Sequence, residues 1–126
     1  MWLVTTFGFY SVVRKPWDRE TQTLTVRARA REDLETLRSK YLPTLGEIAE
    51  DESADYRFRA QAPREDVAKA FAAAVSDIDY DNFKAAITQR MGWARERIYH
   101  DAWRAFLAIQ QRKGSPRSRG PRSPES

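Results

Sequence analysis

Four arginines at alternating positions of two predicted strands have the clearest capacity for chemistry. They form two pairs, Arg27 with Arg29 and Arg57 with Arg59. Alternate residues of a strand point to the same side of a sheet, so each pair shares one face. If the two strands pair, four guanidinium groups decorate one surface that could hold an anion or RNA. The plainer interpretation is a solvated or helix-covered face whose arginines pair with acidic residues.

A second group of polar residues lies on the last two predicted helices. His100 is the only histidine and is flanked by Tyr99 and Asp101, while Asn82 and Lys84 stand earlier in the chain. One histidine without cysteine cannot form an ordinary zinc site, and a histidine base needs partners brought near by the fold. These residues are therefore the alternative site, for an enzyme of unknown class. We predict no catalytic residue, no metal and no cofactor.

Trp17 is an aromatic residue in a polar segment, next to Lys15. An exposed tryptophan beside a cation would be a contact anchor for a partner, and folding back over the sheet edge is the alternative. By contrast, Tyr99, Trp103 and Phe106 recur at helical spacing, which is typical of core residues. Trp17 therefore joins the four arginines as a candidate binding residue.

Alternating and helical hydrophobic patterns predict an α+β fold. The predicted strands are residues 2–13, 24–30, 47–50 and 56–62, and the predicted helices are residues 31–42, 64–78, 83–91 and 93–112. Segment 24–78 has most of the order of a ferredoxin-like unit, and the first strand could replace its missing last strand, as in a circular permutation. We therefore expect a four-stranded, mostly antiparallel sheet with helices packed on it and two extra C-terminal helices.

The net charge of the chain is concentrated in its last residues. Residues 112–126 carry five basic side chains against Glu125, a net +4, which equals the formal charge of the whole chain. They contain no apolar side chain whose burial could offset the entropy of ordering them. We predict one α+β domain over residues 1–111, electrically balanced, and a disordered basic tail over residues 112–126.

The composition bears on the cellular compartment. The absence of cysteine excludes disulfides and thiolate chemistry and fits a reducing compartment. The opening residues have no basic region ahead of them, and no apolar run approaches the length of a membrane span. We therefore expect a cytoplasmic protein with no membrane partner.

Five short segments carry a family resemblance. They are residues 1–13 (MWLVTTFGFYSVV), 26–29 (VRAR), 55–59 (DYRFR), 79–84 (DYDNFK) and 99–103 (YHDAW). Together they resemble an uncharacterised family of small bacterial proteins. The resemblance is compatible with a bacterial or phage-borne source, and no activity, cofactor or partner follows from it.

These observations favour a small binding or interaction protein without catalytic activity. Its expected partner is another protein or a second copy of the chain. Nucleic-acid (RNA) binding through the arginine-decorated sheet face and the basic tail is one alternative. An enzyme of unknown class that uses Tyr99, His100 and Asp101 is the other.

Overall fold

The first residues of the chain form a hairpin rather than a single strand. The computed structural model describes residues 1–111. Strand β1 (Trp2–Val4) pairs antiparallel with strand β2 (Phe9–Val13). The Thr5 hydroxyl donates to the Gly8 carbonyl at 2.7 Å and accepts the Gly8 amide at 3.0 Å, which closes the turn. The prediction of one strand over residues 2–13 is therefore wrong, because Thr5 stabilises a reversal of the chain.

The remaining elements confirm an α+β architecture. In chain order they are α1 (Asp18–Thr21), β3 (Thr23–Ala28), α2 (Arg31–Lys40), β4 (Ala49–Glu50), β5 (Phe58–Pro63), α3 (Arg64–Ser76), α4 (Phe83–Met91) and α5 (Trp93–Gln111). The five strands form one antiparallel sheet in the order β1-β2-β3-β5-β4. The predicted count of four strands is therefore wrong, while the antiparallel sheet is confirmed. The predicted tail, residues 112–126, lies outside the described residues.

One face of the sheet forms the core. Helices α2 and α3 both contact β3 and β5 on this face. Alternate residues of the central strands supply apolar side chains, and the fully buried ones on β5 are Ala60 and Ala62, which let the helices approach closely. The buried residues that pack together here include Tyr10, Val26, Ala28, Leu34, Leu37, Ala60, Ala62 and Val67.

The opposite face of the sheet carries the intervening polar residues. We call this surface the arginine face and define it by Ser11, Thr25, Arg27, Arg59 and Gln61, which alternate with the core residues along β2, β3 and β5. The short helix α1 packs against β3 at one end of this face. The period of two in both central strands therefore separates a core from a polar surface.

Helices α4 and α5 form a hairpin that turns at Gly92. The φ angle of Gly92 is +93°, a left-handed conformation in which glycine avoids a steric clash. The hairpin contacts the sheet side of the molecule through Phe106, whose ring lies 6.4 Å from the Trp2 ring. Tyr99 is buried, but Trp103 and Phe106 are about half exposed. The prediction that Trp103 and Phe106 are core residues is therefore wrong, because helical spacing does not reveal whether another element covers that stripe.

Candidate functional site

Arg27 and Arg59 lie directly opposite each other on the arginine face. Strands β3 and β5 pair in a register that makes them partners, and Ser11 is the partner of Arg27 on β2. Arg27 Nη2 donates to Ser11 Oγ at 2.7 Å. Directly opposed residues of an antiparallel pair hold their Cβ atoms about 5 Å apart, and like charges there destabilise the sheet. The fold therefore places two arginines in directly opposed positions of the sheet, at an energetic cost.

Tyr56 is the residue around which three of the predicted arginines gather. It is 3% exposed, and the guanidinium carbons of Arg27 and Arg29 lie 4.4 and 4.6 Å from its ring centroid. Arg59 Nη2 donates to the Tyr56 carbonyl oxygen at 3.1 Å. We call Arg27, Arg29, Arg59 and Tyr56 the arginine cluster. Cation–π attraction of about 0.5–2 kcal/mol per contact orients Arg27 and Arg29 against the ring.

The arginines of the cluster have no carboxylate partner in the described part of the chain. Within residues 1–111, every ion pair with N···O of 4.0 Å or less involves other cations. Asp51 is held by Ser53 instead, whose hydrogen bonds lower the pKa of that carboxyl, with a smaller contribution from Arg59. The cluster therefore carries positive charge that these residues leave unneutralised.

The guanidinium groups of Arg27 and Arg59 are also incompletely hydrogen-bonded. The Nε atom of each is buried and has no hydrogen-bond acceptor among residues 1–111. A buried donor without an acceptor costs about 1–3 kcal/mol, and more when the group is charged. The arrangement is therefore more costly than a fully solvated pair of arginines would be.

Arg57 is neutralised and stands outside the cluster. Its Nη2 lies 2.6 Å from Glu50 Oε2 and 3.8 Å from Glu52 Oε2. The residue precedes β5, which begins at Phe58, so the strand alternation does not extend to it. Of the four predicted arginines, Arg57 alone fits the plainer interpretation of pairing with acids.

Exposed tryptophans flank the arginine face. Trp2 is the register partner of Ser11, in the row that contains Arg27 and Arg59. Trp17 Nε1 donates to Thr25 Oγ1 at 3.2 Å, which seats its indole on the same face. Both tryptophans are more than half exposed. The structure places Trp17 as an exposed residue folded onto the sheet, and Trp2 joins it only because the β1–β2 hairpin forms.

Asp18 organises the Trp17 end of the face. Its buried carboxylate accepts four hydrogen bonds of 2.6–2.8 Å, from the amide of Lys15 and the side chains of Thr23, Thr25 and Gln61. Burial by itself raises the pKa of Asp18, but these hydrogen bonds outweigh it and leave the pKa below its ordinary value of 3.8. The charge of Asp18 is therefore stabilised by neutral donors, without an arginine.

A recess beside Asp18 extends the basic surface. It has a volume of about 600 Å³ and is lined by Arg14, Asp18, Arg19, Gln22 and Arg64. Among residues 1–111, its three arginines have no carboxylate within 4.0 Å. Since Asp18 lines the recess and also accepts hydrogen bonds from Thr25 and Gln61, the recess adjoins one end of the arginine face.

The alternative polar site is only partly assembled. Lys84 Nζ lies 2.8 Å from His100 Nδ1, and the His100 ring stacks on Trp103 at 5.6 Å. This contact joins α4 to α5 on the exterior, since Lys84 is exposed. The donor and acceptor roles in this contact depend on the tautomer of the His100 ring.

The other members of that site lie apart. The side chain of Asn82 caps α4 by accepting the Ala85 amide at 2.9 Å. Asp101 is exposed and forms no ion pair with the described residues. Tyr99 is buried, stacks on Phe83 at 6.0 Å, and has a pKa raised by that burial. No carboxylate of residues 1–111 hydrogen-bonds His100, so the histidine lacks an orienting acid.

A buried ion pair joins α5 to α2. Both carboxylate oxygens of Asp33 accept from Arg95, at 2.9 and 3.0 Å, and Asp33 Oδ2 also accepts the Phe9 amide at 2.9 Å. Tyr10 Oη donates to the Asp33 carbonyl at 2.6 Å, and burial, followed by the charge of Asp33, raises the pKa of Tyr10. Asp33 and Arg95 are 62 residues apart, so no local pattern indicated the pair.

A cleft of about 860 Å³ lies beside this ion pair. Its lining includes residues of α2, the end of α3 and the end of α4. Tyr41 Oη donates to Asp77 Oδ2 at 2.8 Å, and burial together with this bond raises the pKa of Tyr41. Arg90 pairs with Asp79 at 2.6 Å. The arginine and the aspartate facing it therefore neutralise each other, in contrast to the arginine cluster.

Searches for other kinds of site and for relatives give no assignment. In the described residues, no three His, Asp or Glu side chains are grouped so that they could hold a metal ion. No helix within residues 1–111 has the length and apolar character needed to cross a membrane. No protein-family model, curated protein or solved structure matches the chain. This result is consistent with the resemblance to an uncharacterised family.

Proposed function

We propose that this chain is a non-catalytic binding protein whose arginine face takes single-stranded nucleic acid. The supporting observation is the arginine cluster, in which three guanidinium groups share one site without a carboxylate partner among the described residues. An anion that approaches this site gains attraction from several cations and displaces no internal acid. Phosphate is one of the anions, together with carboxylate, whose geometry matches the paired N–H donors of arginine.

The exposed tryptophans favour a nucleic acid over a free anion. Bases stack on aromatic rings with about 1–3 kcal/mol per base, and every base offers such a face. Trp2 lies two strands from Arg27, about 10 Å at the usual strand spacing. Phosphates at Arg27 and Arg59 with bases on Trp2 and Trp17 would use both features of the face.

A single strand fits this surface better than a duplex. Bases in a duplex are stacked on each other and are not free to stack on protein rings. The recess lined by Arg14, Arg19 and Arg64 would continue the path of the backbone beyond Trp17. We expect little preference among base sequences, because stacking and phosphate contacts do not read base edges.

We further propose that the fold is a circularly permuted ferredoxin-like unit. The order β2-β3-β5-β4, with α2 and α3 on one side, supports this assignment. In it, β2 takes the position of the last strand of the unit, and β1 is an addition at the edge. The exposed sheet face of such a unit is the surface that the RNA-recognition module uses.

The proposal is tested by measuring the anisotropy of fluorescein-labelled oligouridine, oligoadenosine and duplex RNA with the full chain. Replacing Arg27 and Arg59 by Gln should weaken single-strand binding about tenfold or more. The slope of log Kd plotted against log salt concentration should decrease by about 1.4, because two phosphate contacts are lost. Circular dichroism and thermal unfolding establish that the variant is folded.

The matched control replaces two exposed arginines outside the face, Arg31 and Arg97, by Gln. This control removes the same charge and should change affinity for single strands by less than about twofold. An equal loss in both variants, or no binding at low salt, would contradict the proposal. Binding of an acidic protein without binding of RNA would also contradict the proposal, and would indicate a protein-interaction module.

A further inference from the structure

The recess beside Asp18 is lined by charged and polar side chains. Its lining residues are Arg14, Asp18, Arg19, Gln22 and Arg64, so three of the five carry a guanidinium group. None of them carries an aromatic ring on which a base could stack. The part of a ligand that enters the recess is therefore held by charge and hydrogen bonds, and guanidinium groups favour an anion rich in oxygen atoms.

The three arginines of the recess keep their side-chain donors free within residues 1–111. Every ion pair and every hydrogen bond from an arginine side chain in that part of the chain comes from another arginine. Each guanidinium has five N–H donors. A ligand in the recess therefore meets three cations whose donors no described residue occupies.

Asp18 adds a negative charge to the recess without offering an acceptor. Its two oxygens together accept four hydrogen bonds from the protein, which uses the acceptor positions of a carboxylate. The three arginines and this carboxylate give the recess a net charge of +2. The recess is therefore suited to a ligand group with about two negative charges.

Short hydrogen bonds fix the backbone that carries the arginines. Asp18 Oδ2 accepts the Lys15 amide at 2.7 Å and holds the segment between the first two arginines. The Gln22 carbonyl accepts the Arg64 amide at 2.9 Å, which joins the end of α1 to the start of α3. Gln22 has a φ angle of +55°, a left-handed conformation that is uncommon for a residue with a side chain. The frame of the recess is therefore preformed, and a ligand has only side chains to order.

We propose that the recess binds the terminal phosphate monoester of a single strand whose bases lie on the arginine face, an inference that rests on the proposed function. A phosphodiester inside a strand carries one negative charge. A phosphate monoester carries a charge of about −1.5 to −2 at neutral pH and has three acceptor oxygens. The monoester matches both the net charge of the recess and its three guanidinium groups, whereas an interior diester matches neither.

The position of the recess also favours the end of a strand. Thr25 Oγ1 accepts from the Trp17 indole at 3.2 Å and donates to Asp18 at 2.8 Å, so the recess adjoins the Trp17 end of the face. Its lining offers no ring to a further base. The terminal base then stacks on Trp17, and the phosphate attached to that nucleoside enters the recess. Either end of a strand can carry such a phosphate, so the test compares the two ends.

The first measurement is the calorimetric titration of the full chain, at constant ionic strength, with short oligouridines. One carries a 5′-phosphate, one a 3′-phosphate and one a hydroxyl at both ends. One of the two phosphorylated strands should bind about tenfold or more tightly than the unphosphorylated strand. The R14Q/R64Q variant should lose most of this gain. The matched control R31Q/R97Q changes two exposed arginines outside the recess and should retain it.

The second measurement tests the recess without a strand. The full chain is titrated with uridine 5′-monophosphate and uridine 3′-monophosphate in the millimolar range. At least one of them should bind, and R14Q/R64Q should weaken that binding more than R27Q/R59Q does. Circular dichroism and thermal unfolding establish that each variant is folded.

The outcomes separate this inference from the proposed function. Equal affinity for the three oligouridines, or a gain from phosphate that R14Q/R64Q retains, overturns the inference and leaves strand binding by the arginine face intact. If no strand binds but a nucleotide binds through the recess arginines, the proposed function is contradicted and the recess stands as a site for a small phosphate monoester. If neither strands nor nucleotides bind, both proposals are overturned.

Discussion

Asp18 is a buried carboxylate whose charge is supported by hydroxyl, amide and backbone donors. Replacing it with Asn keeps the shape but offers these donors a neutral acceptor and an unwanted NH₂ group. We expect the free energy of unfolding at neutral pH to fall by about 1.5–3 kcal/mol, as for hydrogen bonds to charged groups. Urea titration of the two proteins measures the difference.

The same substitution should change the acid sensitivity of the fold. The folded pKa of Asp18 lies below the ordinary value of 3.8. Its stabilising contribution is therefore full above about pH 4 and is lost as the pH falls through the folded pKa. The stability difference between the unchanged chain and D18N should shrink in acid, and a difference independent of pH would contradict this assignment.

Some site residues follow from strand parity and others depend on tertiary structure. Alternation indicated that Arg27 and Arg59 face away from the core, and the structure places them as partners. Tyr56 was not indicated as their common contact, because its position depends on the loop before β5. Trp2 lies on the arginine face only because the chain reverses at Thr5 and β1 pairs with β2. The sequence did not indicate this turn, because residues 2–13 are rich in β-branched and aromatic types that favour one continuous strand.

At the scale of elements, the α4–α5 hairpin is attached to α2 through one bidentate ion pair. Replacing Arg95 with Met should leave Asp33 buried without its cation, and we expect a loss of about 3 kcal/mol. Hydrogen exchange should show the amides of α5 losing protection more than those of β3. The control is R97M, which changes an exposed arginine and should leave both elements unaffected.

The four longer helices were predicted more accurately than the strands, for a physical reason, whereas the short helix α1 was not predicted. Helix α4 occupies residues 83–91 as expected, because Asn82 supplies the cap and Gly92 the stop. The strand at residues 47–50 shortens to Ala49–Glu50, since strand length depends on a partner distant in sequence. The apolar face of α5 was also recognised from spacing, but its exposure depends on what packs against it.

At the scale of the whole molecule, basic charge is divided between the arginine face and residues 112–126. Neutralising Arg117, Arg119 and Arg122 with Gln should lower affinity for single-stranded and duplex RNA to a similar degree, because charge attraction alone does not distinguish them. The R27Q/R59Q variant should lower affinity for single strands more than for duplexes. Parallel anisotropy titrations separate the two contributions, and identical profiles for both variants would contradict a distinct site on the sheet.

The strand order also sets when the arginine face comes into existence during folding. Strands β1, β2 and β3 are neighbours along the chain and can pair locally. Strand β5 reaches β3 only after a loop containing α2 and β4 has closed, which costs more entropy and slows pairing. Until that step, Arg27 and Arg59 are separated, and no Tyr56 orders the guanidinium groups. An emerging chain therefore lacks the complete arginine cluster until synthesis has passed Pro63, the last residue of β5.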